Sequence, residues 1–341
     1  MDAHALLEPL ARLHDLIGQG VVTACASRET RDLAAVASDE EGDTIYEIDR
    51  VSEAELLAGV AELAALAPIV LVAEGIGERV LPDGTAPDAA VWRVIVDPID
   101  GTRGLMYQKR SGWILTAVAP ERGPATRLSD VVLAVQTEIP LLKQHLYDRL
   151  WAVRGDGAHG ERHNRLTGTS EALALRPSTA TDLAHGFGQV ARFFPGGRDV
   201  LAAIDDEIAA VTAGEAAPGK ARCYEDQYVS SAGQLYELIV GHDRFVADLR
   251  PLLRKVTAAR GEHPGICSHP YDLATALIAE EAGVVLTDPR GGALDFPLDL
   301  DTDVGWVGYA NDALRRLIEP VLHDSLIRRN LLGPPSSSQE D

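Results

Sequence analysis

Cysteine, basic charge and long apolar runs are all scarce in this chain of 341 residues. The three cysteines, Cys25, Cys223 and Cys267, show no short paired spacing, which removes the basis for a zinc site or a redox motif and fits a reducing, cytoplasmic setting. Lysine and arginine number 31 against 52 acidic residues, a formal charge of −21. Such a chain repels a polyphosphate backbone, so a nucleic acid polymer is not an expected partner. No uninterrupted apolar stretch approaches the roughly 20 residues that span a bilayer. The amino-terminal MDAHALLEPLARLHDL has acidic residues and helical spacing where a secretory signal has basic residues and an apolar block. The expectation is a soluble protein with no membrane partner.

What the chain does contain is a large core: 46% of its residues are apolar, at a length that implies one large or two closely packed domains. Leu6, Leu7, Leu10, Leu13 and Leu16 recur at helical spacing and predict an amphipathic helix up to about Ala26. Ser52, with Glu55 three residues on, predicts the cap of a second helix running through LLAGVAELAAL. From Pro68 the pattern turns to short β-branched runs, IVLVAE, VWRVIVDPID, WILTAVA, VVLAVQTEI and LWAVR, read as strands of a sheet covered on both faces. Beyond about Thr167 helices are expected in DVLAAIDDEIAAVT, SAGQLYELIVG and YDLATALIAEEAG. The simplest organisation is an N-terminal α+β half over 1–165, a C-terminal α/β half over 166–332, and a flexible tail at 333–341.

The most informative segment is VWRVIVDPIDGTRG, residues 91–104. A buried strand runs into Asp97 and Asp100, and Gly101 and Thr102 follow at the start of a helix. Two carboxylates around a proline turn suit a hard, oxygen-seeking cation such as magnesium, and the amides of a helix start suit a phosphate. Taken alone, the segment also fits an Asp-Pro turn capped by a second Asp. Upstream, LVAEGIG ends a strand in Glu74, 23 residues before Asp97. Downstream, HPYDLATALIAEEAGVVLTDPRGG places Asp272 at a helix start, where capping alone is the plainer explanation.

Together, Glu74, DPIDGT and YDLATALIAEEAG resemble the inositol monophosphatase superfamily, which includes fructose-1,6-bisphosphatases and phosphoadenosine-phosphate phosphatases. The likeness covers roughly residues 5–320. It implies a layered αβαβα sandwich and a magnesium-dependent phosphoric monoester hydrolase, with two or three ions and a metal-activated water. Glu74, Asp97 and the Ile99 carbonyl would hold one ion, and Asp97, Asp100 and Asp272 another. Glu74 and Thr102 would position the water, with Asp49 of YEIDR beside Thr102, and the Gly101 and Thr102 amides would bind phosphate. The substrate would be a small phosphorylated metabolite, inositol-monophosphate-like first, with phosphoadenosine phosphate or a sugar bisphosphate as alternatives. A homodimer is expected by the same analogy. A rival of another class is a non-catalytic, metal-dependent phosphate-ligand sensor. The chain departs from the family pattern at Tyr46-Glu47 before Asp49, in the RGLMYQKRSGW stretch after DGT, at Tyr271 and at Val284.

Weaker candidates remain. Arg103, near Lys109 and Arg110, is a candidate contact for a second substrate anion, although a solvated loop is the favoured reading of the three. HGFGQVARFFPGGRD, residues 185–199, is read as a loop, with Arg192 a possible pocket-mouth contact and a core edge equally open. Ser231, in a Ser-Ser-Ala helix start, is a candidate substrate contact with capping as the plainer role. GEAAPGKA at 214–221 has P-loop spacing but Ala221 in place of the required Ser or Thr. DLDTDVG at 299–305 lacks the glycine and glutamate of a calcium loop. The ten histidines show no metal-helix spacing.

Overall fold

The computed structural model describes residues 2–40, 43–214, 217–263 and 265–333. The tail expected at 333–341 therefore lies, past Gly333, outside the described residues, as do residues 215 and 216 of the P-loop look-alike. Helix α1 (Leu7–Ser27) buries Leu10, Leu13, Ile17 and Val21 along one stripe, each side chain contributing about 1.5–3 kcal/mol by leaving water. After α2 (Thr30–Leu33) and the hairpin β1 (Val36–Glu40) and β2 (Asp43–Tyr46), helix α3 (Glu47–Leu66) packs against α1. Helix α3 starts five residues before the expected Ser52 cap. The Asp49 carboxylate accepts the Tyr46 amide at 2.8 Å and closes the first turn there, and Ser52 is buried inside the helix, donating to the Asp49 carbonyl at 2.7 Å.

Eight strands form the large sheet: β3 (Ile69–Ala73), β4 (Gly77–Leu81), β5 (Trp92–Asp100), β6 (Gly112–Pro120), β7 (Leu133–Ile139), β8 (Leu146–Val153), β9 (Ala158–Asn164) and β10 (Thr169–Ala172). Their order is β10-β9-β8-β7-β6-β5-β3-β4, with only the β3–β5 pair parallel. Alternation along β3 and β5 sends Leu71, Val94 and Val96 to the α1–α3 side and Val70, Val72 and Ile95 to the other, the two-sided burial expected of these runs. This sheet extends to Ala172, past the boundary read at residue 165. The sequence of β10, TSEA, is exposed throughout and carries no apolar alternation to announce a strand.

A second sheet has the order β11-β12-β14-β13, from β11 (Phe187–Val190), β12 (Asp243–Asp248), β13 (Val285–Thr287) and β14 (Trp306–Tyr309). Strand β11 falls within residues 185–199, read as a loop, because Phe187, Gly188, Gln189 and Val190 pair parallel to β12 through their backbones. Helix α4 (Thr102–Met106) follows β5, α5 (Arg198–Thr212) follows β11, and α6 (Ser231–Ile239), α7 (Arg254–Ala259), α8 (Ala276–Ala282) and α9 (Asp312–Arg328) complete the chain. Helices α6 and α8 contact both sheets, whereas α5 and α9 pack together on the far side of the smaller one. The layers are thus α1–α3, large sheet, α6–α8, small sheet, α5–α9, an αβαβα sandwich. Among the described residues no helix is long and apolar enough to cross a membrane.

Candidate metal centre

Side chains three apart on a regular strand point to opposite faces. On β5 they do not: Asp97 pairs with Leu115 and Asp100 with Trp113, so three steps on β5 match two on β6. The extra residue is a bulge at Pro98-Ile99, and it resets the alternation so that both carboxylates face one cleft. Proline is tolerated there because a bulged residue needs no ladder N–H. The turn is fixed from within, since the Ile99 amide donates to Asp97 Oδ1 at 3.0 Å.

Strand β3 runs parallel to β5 with Ala73 opposite Val96, which sets Glu74 abreast of Asp97; the Glu74 side chain hydrogen-bonds the Asp97 carboxyl. From the C-terminal half, a 3₁₀ turn, Pro270–Leu273, packs against β5. It carries Asp272, whose Oδ2 accepts the His269 amide at 2.6 Å. Carboxylate oxygens of Asp97, Asp100 and Asp272 come within 4.8 Å of one another. Residues separated by 172 positions in the chain, from Asp100 to Asp272, therefore share one site.

Asp97 is 1% exposed and Asp100 6%. Burial, with Asp100 and Asp272 close by, pushes the Asp97 carboxyl well above its usual range. Burial pushes Asp100 up to about 6, against hydrogen bonds from the Ala232 amide and the Ser230 hydroxyl that favour its ionised form. Two buried acids with a third, partly exposed one beside them are costly unless a cation joins them. The donor set is all oxygen, which fits a hard divalent ion.

Gly101 ends β5 with φ +86°, a left-handed turn that favours glycine. A Cβ there would also meet the Ser230 Cβ at 3.1 Å. Thr102 opens α4, and its hydroxyl has two acceptors in reach, Asp49 Oδ1 at 3.0 Å and the Ile99 carbonyl at 2.8 Å. Asp49, Glu74, Asp97, Ile99, Asp100, Gly101, Thr102, Arg103, Ser231 and Asp272 all line one cleft.

Arg192 does not line it; its guanidinium pairs with Asp205 at 2.8 Å and with Glu225. Of the basic trio, Lys109 is exposed, and Arg110, partly exposed, pairs with Asp226 and stacks on Tyr228 at 4.3 Å. Sequence reasoning passed over Phe193 and Phe194 as individual wall residues, and Arg250 altogether. Arg250 is buried and held by Asp248, Ser268 and the Ile266 carbonyl. An arginine two residues beyond a strand-ending aspartate was its sole signal.

Layer order and cleft together define an α/β sandwich with an oxygen-lined cleft whose carboxylates could hold a cation. No protein-family model and no curated protein sequence matches the chain. Solved structures do. Thermotoga maritima IMPase aligns over 96% of this chain and all of its own, with 17% identity and a TM-score of 0.60. The extragenic suppressor protein SuhB from Bartonella henselae aligns over 93% of this chain and 98% of its own, at 16% and 0.63. Leishmania major fructose-1,6-bisphosphatase aligns over 94% and 93%, at 13% and 0.67. The chain has the inositol monophosphatase superfamily fold.

Proposed function

We propose that the chain is a magnesium-dependent phosphatase acting on a small phosphate monoester, inositol-monophosphatase-like in its chemistry. The observation that carries this reading is the approach of Asp272 to the Asp97–Asp100 pair within 4.8 Å, supported by the fold shared with an IMPase and a fructose-1,6-bisphosphatase. Asp97, Asp100 and Asp272 would hold divalent cations, with Glu74 and the Ile99 carbonyl at the edge. Bound there, the ions would supply positive charge to the ester's phosphate oxygens and acidify a water.

The chain's own residues do the rest. Gly101 brings the backbone close, and the amides opening α4 face outward from the helix, where they serve a phosphate oxygen. Thr102 has one hydroxyl proton and two acceptors, so Asp49 decides where that proton points and which lone pair remains for a water. Glu74, hydrogen-bonded to Asp97, is the carboxylate placed to take a proton from that water.

Phosphate release from a panel of esters, measured with magnesium and again with a chelator, tests this. Magnesium-dependent turnover of at least one ester is the expected result. Tight, metal-dependent binding of one ester with no turnover anywhere in the panel would overturn it and leave a sensor.

A further inference from the structure

Helix α1 meets the large sheet at β6 and β7, and strands β8, β9 and β10 lie beyond these in the strand order. Between α1 and the outer strands is a cavity of about 440 Å³, against about 70 Å³ in the metal-centre cleft. The two share no lining residue. A cavity above about 300 Å³ has the size of a small-molecule site, so this one needs a chemical reading of its own.

Its α1 wall is set by polar groups that satisfy one another. Fully buried His14 has the Thr137 and Thr116 hydroxyls each at 2.9 Å from a ring nitrogen. Arg149 donates from Nε to the same Thr137 hydroxyl at 3.1 Å and from Nη2 to Asp15 at 2.5 Å. Burial, with Arg149 near, holds His14 well below its usual pKa, so the imidazole is neutral. Glu138, also on the lining, is engaged by Ser111, Gln144 and the Asp148 amide. These groups shape the cavity and leave its acids occupied.

The outer wall is different. Tyr147 on β8 and His163 on β9 are cross-strand partners, and their rings stack at 4.8 Å with 12° between the planes. Burial and Asp15 push the Tyr147 phenol up, against nearby Arg149 and Arg165, and burial and Arg149 push His163 down. Both rings are therefore neutral at pH 7. The buried Nε2 of His163 stands 3.5 Å from Glu161 and makes no hydrogen bond among the described residues. Beside these rings, Arg165 donates from Nη1 to the Leu141 and Gln144 carbonyls at 3.4 and 2.8 Å, which holds the guanidinium in place. Its Nε and Nη2 have no partner among the described residues, and this is the edge that takes a carboxylate in two parallel hydrogen bonds. Asn164 Oδ1 accepts the Leu166 and Thr167 amides, and Nδ2 remains as one more donor. In a chain of charge −21, the open groups here are donors set around ring surfaces.

We propose that this cavity binds a small, flat aromatic carboxylate, its ring against the Tyr147–His163 pair and its carboxylate on the Nε–Nη2 edge of Arg165 with Asn164 Nδ2. A neutral ring leaves the guanidinium edge unmet, and a saturated acid forgoes the stacking.

The test titrates the full chain, in chelator, with 4-hydroxybenzoate, its neutral isostere 4-hydroxybenzamide and its saturated counterpart 4-hydroxycyclohexanecarboxylate, by calorimetry. In the wild type 4-hydroxybenzoate binds about tenfold tighter than either of the others. Arg165→Gln brings the benzoate-to-benzamide ratio near one, and Arg165→Lys, which keeps the charge without the fork, leaves it intermediate. Tyr147→Leu brings the two acids level while both stay ahead of the amide. Asp272→Asn, in the metal centre, leaves all three binding constants unchanged, which locates the site. Equal constants for the three probes in the wild type, no binding of 4-hydroxybenzoate, or binding lost in Asp272→Asn and kept in Arg165→Gln would each overturn the inference. Phosphate release is no part of the readout, so the phosphatase reading stands or falls separately.

Discussion

The Ser230 hydroxyl donates to Asp100 Oδ2 at 2.8 Å while accepting the Gly233 amide at the same distance. One oxygen thus caps helix α6 and steers the Asp100 carboxylate, 130 residues away in the chain. Ser230→Ala removes both contacts. The expected loss is about 1–2 kcal/mol of stability from the cap and roughly 10–100-fold in magnesium affinity from the misdirected carboxylate. Denaturant unfolding and calorimetric titration with magnesium read the two effects separately; an unchanged affinity would show that Asp100 is held without Ser230.

Crowding among Asp97, Asp100 and Asp272 makes a stabilising substitution possible at a functional position. Asp97→Asn removes a buried charge that burial and two neighbouring acids disfavour. In chelator the variant is expected to be more stable than the wild type, by about 1–2 kcal/mol. With magnesium the order reverses, because the variant lacks a ligand, and phosphate release falls by roughly 10³. A variant less stable than the wild type in chelator would mean that the Asp97 carboxylate is needed for folding itself.

A pH dependence follows from Asp100. Its folded carboxyl titrates at about 6 against 3.8 for an unperturbed Asp, so the folded chain holds a proton that the unfolded chain has released. Stability from this group is full below about pH 4 and is lost as pH rises through about 6. In chelator, Asp100→Asn should therefore be flatter than the wild type between pH 4.5 and pH 7 in urea unfolding, and magnesium should flatten the wild type in the same way. Parallel curves for the two proteins would remove Asp100 as the cause.

Legibility in the sequence followed the range of the interactions. Glu74, Asp97 and Asp100 sit at the ends of apolar runs whose β-branched composition reads directly as buried strands, whereas the αβαβα layering came from the family resemblance, the runs and amphipathic helices alone giving two α/β halves. The start of α3 was misread because Ser52 and Glu55 satisfy a local capping rule, whereas the turn closes on Asp49 and the Tyr46 amide. The role of Ser230 and the row of alternating rings and guanidinium groups formed by Tyr46, Arg103, Phe194 and Arg250 were out of reach. Their members lie on separate elements, and only the packed layers decide which ring meets which cation. Arg192 shows the converse: it sits beside Phe193 in sequence, yet Asp205 and Glu225 draw it away from the cleft.

Asp49 uses both carboxylate oxygens, Oδ2 for the Tyr46 amide and Oδ1 for the Thr102 hydroxyl. This arrangement gives Asp49→Asn an unusual consequence. The remaining oxygen keeps the helix start closed, and the new amide group faces Thr102 as a donor, which reverses the hydrogen bond and turns the hydroxyl proton toward the Ile99 carbonyl. If the direction of that proton matters to turnover, Asp49→Asn should lose kcat with little change in stability, and Thr102→Val, which removes the hydroxyl at nearly constant shape, should lose about 10²–10⁴. Thr102→Ser, which keeps the hydroxyl, should stay within about tenfold of the wild type. The thermal shift on adding magnesium separates this from metal loss, since none of the three substitutions removes a metal carboxylate. Near-normal kcat in Thr102→Val would assign the Asp49–Thr102 bond to holding α3 against α4 alone.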